Sequence, residues 1–224
     1  MPFERSINNP VGRSEEDPYG IQHNPLDYSK PSYLDPARMS SYGYQYKLAM
    51  ETGGNSFINV GSGNHLLKYL LTTQNKSVID FDLDFETLPD IVGVFPHLPF
   101  RDKSFDVALC FQTLEHFPFS MFKSSIAELR RVAKTIILGI PDKSRSKREE
   151  LKYRFYEHAK FPKEWSIYRE RSVDKEHFWE IGDGQITVEE ITSAVRQTNL
   201  IAIKHFRNNL NRYHHFFILR TVEE

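Results

Sequence analysis

Phe57-Ile58-Asn59-Val60-Gly61-Ser62-Gly63-Asn64-His65 opens the stretch, Ser56 to His116, around which the rest of the chain is arranged. A short apolar run stops at two glycines and gives way at once to a segment with helical apolar spacing. A strand ending in Gly-x-Gly before a helix lets backbone N–H groups approach a ligand closely, because glycine has no Cβ and tolerates positive φ. The next run, Ser77-Val78-Ile79-Asp80-Phe81-Asp82-Leu83-Asp84, ends in carboxylates. They lie about 20 residues beyond the glycines, the separation at which an acidic residue of a βαβ unit meets ribose hydroxyls. An adenosine ribose suits that position.

The third block is His97-Leu98-Pro99-Phe100, a polar turn, Phe105-Asp106-Val107-Ala108-Leu109-Cys110-Phe111, and then Gln112-Thr113-Leu114-Glu115-His116. Gly-x-Gly alone is a weak signal, but three blocks in this order and spacing are specific. Together they resemble the class I S-adenosylmethionine-dependent methyltransferases, and within them the large type 11-like group with Leu-Pro-Phe, Phe-Asp-Val and Leu-Glu-His signatures. The resemblance implies S-adenosylmethionine as cofactor. Gly61, Ser62 and Gly63, with Asn59 beside them, would hold its methionine side. Asp82 would take the ribose hydroxyls, Leu83 and Phe95 the adenine faces, and Phe111 with Gln112 the floor near the sulfur. The chain departs from the family at Asn59, where an acid is usual, at His65, where a third glycine is usual, and at Val94, where an acid often follows the third strand. His65, at the mouth of the helix, could crowd the methionine portion. Asp80 and Asp84 read as solvated strand-end carboxylates.

The implied fold is α/β, a Rossmann-like three-layer sandwich with a mostly parallel seven-stranded sheet and an antiparallel C-terminal hairpin strand, in the order 3-2-1-4-5-7-6. Along the chain, residues 1–34 read as an irregular arm rich in Pro, Asn, Asp and Ser. Tyr19, Tyr28 and Tyr33 could pack part of this arm over a cleft. Residues 35–224 form the domain. Asp35-Pro36 caps a helix that ends at Gly53-Gly54. Strands follow at Ser56–Val60, Ser77–Asp82, Asp90–Val94, Asp106–Phe111 and Thr135–Ile140. Helices lie between them at about Asn64–Thr73, Phe85–Leu88 and Ser120–Val132. A change to charged and aromatic residues marks a helical and loop insertion at about 143–185. Its first half is a basic helix beginning at Lys143, balanced by Glu149, Glu150 and Glu157, and reads as a solvated face. Its second half, Asp174 to Gln185, gathers ionisable and aromatic groups by a glycine-containing loop, the kind of place where α/β enzymes keep substrate contacts. Thr187 caps a last helix, and Ile201–Phe206 with Tyr213–Thr221 form the terminal hairpin.

Composition limits the partners. With 29 basic and 30 acidic residues the net charge is -1, so no global field draws the chain to nucleic acid or to an acidic membrane. No apolar run approaches the roughly 18 residues of a membrane span, and no secretory leader is recognisable. The single Cys110 cannot form an internal disulfide. A reducing, cytoplasmic setting is expected, and a small-molecule methyl acceptor fits better than a polyanion. Oligomeric state is not legible.

Methyl transfer is a displacement in which the protein mainly positions the acceptor, and a base assists oxygen acceptors and protonated amines. The candidate bases are His116, His177 and His214. His116, in the Leu-Glu-His signature, is better suited to a structural hydrogen bond at the helix start. His214 and His215 are adjacent on one strand, point to opposite faces, and so only one should face the core. No metal site is expected, since His177, Glu180 and His214 or His215 offer suitable ligand types without close spacing. A nicotinamide-dependent dehydrogenase is the weaker enzyme alternative, because the third glycine of its fingerprint is missing. A non-catalytic cofactor-binding or interaction protein that keeps the fold is the alternative from another class.

Overall fold

In the computed structural model, the described residues are 25–30, 33–144, 177–184 and 186–222. Most of the predicted arm and most of the insertion, including its basic helix beyond Ser144, lie outside them. The order of the sheet is β3-β2-β1-β4-β5-β7-β6, with β1 Ser56–Val60, β2 Ser77–Asp82, β3 Ile91–Val92, β4 Phe105–Phe111, β5 Ala133–Pro141, β6 Leu200–Arg207 and β7 His214–Thr221. The first five strands pair in parallel, whereas β7 is antiparallel to both β5 and β6. The expected strand order and terminal hairpin are therefore present.

Strand alternation sorts the side chains into two cores. In β1 and β4, Phe57, Val107, Leu109 and Phe111 point to one face, where they meet Leu48 and Ala49 of α1 (Pro36–Glu51) and Leu67 and Leu71 of α2 (Leu66–Thr72). Ile58, Val60, Ala108 and Cys110 point to the other, against Phe122, Ile126 and Leu129 of α3 (Phe122–Val132) and Ile191 and Val195 of α4 (Val188–Arg196). Strands covered on both faces read as continuous apolar runs, which is why β4 was legible. The helix starts are set by local chemistry. The Asp35 carboxylate accepts from Arg38 N at 2.7 Å with Pro36 at the first helical position, and Thr187 Oγ1 accepts from Glu190 N at 3.1 Å. At the other end of the sheet, the Asp106 carboxylate accepts from the backbone N–H groups of Asn55 and Ser56 and from Lys134. These bonds hold its pKa well below the usual carboxylate range.

Three elements are shorter than their sequence suggests. The predicted third strand reduces to two residues, because only Phe81 and Asp82 of β2 pair with it. The predicted helix from Ser120 begins as a 3-10 turn over Phe119–Met121. The short helix after β2 is a 3-10 turn at Phe85–Thr87, capped by Asp84.

Candidate active site

The site forms at the C-terminal ends of β1, β2 and β4, where the chain leaves the sheet through tight turns. Gly61 (φ 74°) follows β1, and a Cβ there would fall 2.1 Å from Thr113 Oγ1, so the turn after β1 and the turn after β4 are in contact only because residue 61 is glycine. Gly63 (φ 57°) faces the ring of Tyr28. Beside the turn, the half-buried Asp82 carboxylate accepts from Gly63 N at 3.3 Å and from Ser62 Oγ at 3.4 Å. These long bonds leave it acceptor capacity for a ligand.

The departures from the family pattern at 59 and 65 belong to one network. Asp80 stands fully buried on β2, and its carboxylate accepts from Asn59 Nδ2 at 2.8 Å and from His65 Nδ1 at 2.6 Å. His65 Nε2 meets the Thr87 carbonyl. Both ring nitrogens thus face pure acceptors, an arrangement only the doubly protonated imidazolium satisfies. The hydrogen bond to Asp80 accordingly raises the His65 pKa above its ordinary 6.5, against burial. An acid at 59 would put two carboxylates side by side, whereas an amide donates to Asp80. The expectation of solvated carboxylates is corrected. Asp80 is buried in this network, and Asp84, also buried, accepts from Glu86 N at 3.0 Å. His65 does not crowd the glycine turn, because its ring is drawn toward β2 and Thr87.

A cavity of about 130 Å³ lies against the turn. Asn59, Gly61, Ser62 and Gly63 form one side, Phe111 and Gln112 the floor, and His116, His177 and His214 the far wall. The three candidate histidines come from three separate segments and meet here. Tyr28 and Tyr33, which pack edge to face at 5.1 Å, bring the end of the N-terminal arm over the cavity, and Arg38 lies on the Tyr33 ring. His214 and His215 are both buried, on opposite faces of β7, so the expectation that only one could turn inward is corrected. The sheet is covered on both sides there. His214 lines the cavity, and His215 Nδ1 pairs with buried Asp142 at 2.9 Å on the other side. Phe95 is 3% exposed and packs on Phe117, which places it in the core rather than on the cavity wall. Leu83 is half-buried beside Asp82 and does not line this cavity either.

Several residues of the site carried no signal in the sequence. Tyr42, Ser41 and Gln45 reach the cavity from α1. Tyr42 donates to Asn64 Oδ1 at 3.0 Å, and burial pushes its phenol pKa up. Glu180 accepts from His177 Nδ1 at 2.7 Å and from the Tyr213 hydroxyl. The spacing of His177 and Glu180, three apart in a dense polar loop, was the available hint for that pair. Nothing local pointed to Tyr213.

S-adenosylmethionine fits the residues present. The glycine turn offers N–H groups beside a carboxylate, and on the cavity floor the buried Gln112 Nε2 has no hydrogen-bond partner among the described residues. A buried amide in that state is matched by a ligand acceptor. Gln112 is held there with φ 52° while its backbone N–H bonds Gly139 O at 2.8 Å.

Comparison with known proteins agrees with this geometry. Residues 58–135 match a family model described as a methyltransferase domain. No curated protein matches the chain. Among solved structures, an S-adenosylmethionine-dependent methyltransferase from Aquifex aeolicus superposes with a TM-score of 0.61 at 14% identity, over 89% of this chain and 100% of its own. Magnesium protoporphyrin IX methyltransferase from Synechocystis, with bound S-adenosylhomocysteine, gives 0.62 at 12% identity over 92% of each chain. The N-methyltransferase NodS from Bradyrhizobium japonicum, also with S-adenosylhomocysteine, gives 0.56 at 10% identity over 88% of this chain and 96% of its own. At such identities the likeness is one of fold, and the sequence match covers the glycine turn, the β2 carboxylates and the Leu-Glu-His segment. The chain is similar to the class I S-adenosylmethionine-dependent methyltransferases, in sequence over residues 58–135 and in fold over most of its length.

Proposed function

We propose that this domain methylates a small-molecule acceptor held between the glycine turn and the wall of His116, His177 and His214. The observation that carries the reading is the convergence of those three histidines on the cavity that Gly61, Gly63 and Gln112 line. S-adenosylmethionine supplies a methyl carbon already bonded to a good leaving group, a sulfonium that departs as a neutral thioether. The chain's part is to hold, orient and exclude water. Gly61 and Gly63 receive the amino acid end, Asp82 accepts from ribose hydroxyls, and Gln112 donates from the floor. Tyr28 and Tyr33 close the cavity on the solvent side. A histidine of the wall takes the proton of the acceptor as its lone pair bonds the methyl carbon, a positioned-base effect of about 10²–10⁴-fold.

A small acceptor suits a wall of imidazoles and tyrosines, and the near-neutral balance of charge gives no draw to a polyanion. Solved structures of the same fold include 1,6-didemethyltoxoflavin-N1-methyltransferase from Burkholderia thailandensis, with 1,6-didemethyltoxoflavin and S-adenosylhomocysteine bound. Among the described residues, no helix is long and apolar enough to cross a membrane. Calorimetric titration of the wild type and Asp82→Ala with S-adenosylmethionine and S-adenosylhomocysteine tests the reading. Saturable binding by the wild type, weakened at least ~10-fold in the variant by loss of the charged hydrogen bonds to ribose, is expected. Wild type that binds neither compound would remove the methyl-transfer reading.

A further inference from the structure

We infer that Glu115, His116 and His177 form a binding site for one divalent transition-metal ion on the acceptor side of the cavity. One ligand atom from each of these residues lies within 4.8 Å of the other two. The His116 and His177 rings stand nearly perpendicular, with centroids 4.9 Å apart. His177 Nε2 and Glu115 Oε1 are 3.9 Å apart. That is beyond hydrogen-bond length, and it exceeds by only about half an ångström the ~3.4 Å that separates two tetrahedral ligands at about 2.0–2.2 Å from one ion.

The surroundings are those of a metal-ligating histidine. His177 Nδ1 donates to Glu180 Oε1 at 2.7 Å, and the Tyr213 hydroxyl donates to the same carboxylate. This bond keeps a proton on Nδ1 and leaves Nε2 facing Glu115 as the ring atom that a cation would take, the carboxylate–histidine–metal arrangement of ordered sites. Backbone geometry fixes the other two ligands. Phe178 N donates to Glu115 O at 2.8 Å, which ties the His177 segment directly to the Leu-Glu-His turn. Trp179 Nε1 donates to Phe117 O at 2.9 Å and pins the same two segments a second time. Glu115 and Glu180 are 0% and 1% exposed, so two carboxylates concentrate negative charge around the imidazoles.

Two imidazoles and one carboxylate leave coordination positions open, the donor set of catalytic rather than structural sites. His116 and His177 line the cavity that holds Gly61 and Gln112. The inference therefore narrows the acceptor, on the methyl-transfer reading, to one that presents a metal-chelating oxygen. The acceptor hydroxyl proton passes to His214 on the same wall, an oxygen lone pair forms the new C–O bond, and the C–S bond breaks with its electron pair on sulfur.

The test uses the full, untagged chain dialysed against a chelator, then titrated with Zn²⁺ by calorimetry and with Co²⁺ by visible absorption. One equivalent should bind saturably. His116→Ala and His177→Ala should each weaken binding at least ~10-fold, and Glu180→Gln ~10–100-fold through loss of the carboxylate that orients His177. Circular dichroism on each variant checks the fold. His116 is only half-buried, so His116→Ala decides the matter if His177→Ala unfolds. Absence of one-equivalent binding in the wild type, or unchanged affinity in His116→Ala, overturns the site. Wild type is also titrated with S-adenosylhomocysteine with and without Zn²⁺. Metal binding without S-adenosylhomocysteine binding keeps the metal site and removes methyl transfer. Binding of S-adenosylhomocysteine alone removes only the metal.

Discussion

At the scale of single residues, the glycine turn is a case of substitutions that make sense only together. Asn59 and His65 each depart from what a strand-turn-helix cofactor site ordinarily carries, and the buried Asp80 carboxylate between them accounts for both. Asp80 accepts from both partners while fully buried, and a buried carboxylate is stable only when its lone pairs are bonded. Replacing Asn59 with the family's acid should therefore harm this chain. Asn59→Asp is expected to cost ~1–3 kcal/mol by removing a donor to a buried carboxylate and adding a like charge. Asp80→Asn in the same chain should recover much of that loss, so that urea unfolding of the two singles and the double gives a coupling of about 0.5–3 kcal/mol. Additive singles would mean that the two side chains do not sense one another. The imidazolium gives a second, pH-dependent signature. The His65 pKa is raised in the folded chain above its ordinary 6.5, so its contribution is fully present below that value and fades as pH rises through the raised one. His65→Asn keeps a residue that tolerates the φ of 58° found there. The stability gap between wild type and this variant should be widest below the ordinary 6.5 and narrow as pH rises through the raised pKa. A gap constant with pH would show that His65 is neutral.

Individual elements show what was legible in the chain and what was not. β1, β2, β4 and β5 were readable because each is a run bounded by turn residues and covered on both faces. At β3 the strand was placed correctly but read too long, because two residues suffice to continue the ladder and composition does not mark where pairing stops. The cofactor half of the site was legible for the same local reason, since Gly61, Gly63 and Asp82 lie within one βαβ unit. The acceptor half is assembled by long-range contacts, from α1, from the turn after β4, from the 177–184 segment and from the start of β7. No sequence period connects those pieces. Trp179 is the residue that joins two of them. Its ring packs edge to face against the stacked rings of Phe119 and Phe122, and its indole N–H reaches Phe117 O. Trp179→Phe keeps an aromatic ring but drops that bond, and should cost ~0.5–1.5 kcal/mol of global stability. It should also loosen His177, two residues away, and so broaden or shift the His177 imidazole signals in NMR spectra of the folded variant. Unchanged signals would place the positioning of His177 entirely on Glu180 and the backbone.

For the molecule as a whole, the sheet divides the protein into a layer that carries the site and a layer that supports it. β7 shows the division within two adjacent residues. Phe216 and Phe217 are the same residue type and both 0% exposed, but they belong to different cores. Phe216 lies against Tyr44, Phe206 and Phe111, and Phe111 is the floor of the cavity. Phe217 faces the α3 and α4 side with His205 and His215. Cutting either ring back to alanine removes a similar apolar area and leaves a similar void, so both variants should lose ~3–5 kcal/mol in urea unfolding. Their effects on cofactor affinity should part. Phe216→Ala withdraws support from Phe111 and should weaken S-adenosylhomocysteine binding several-fold in calorimetry at a temperature where the variant is still folded. Phe217→Ala, for the same loss of stability, should leave that affinity close to wild type. Equal weakening in both would mean that affinity follows global stability and that the two layers are not mechanically separate. A difference between them would locate the cofactor site on the α1–α2 side of the sheet, through residues that do not touch the ligand.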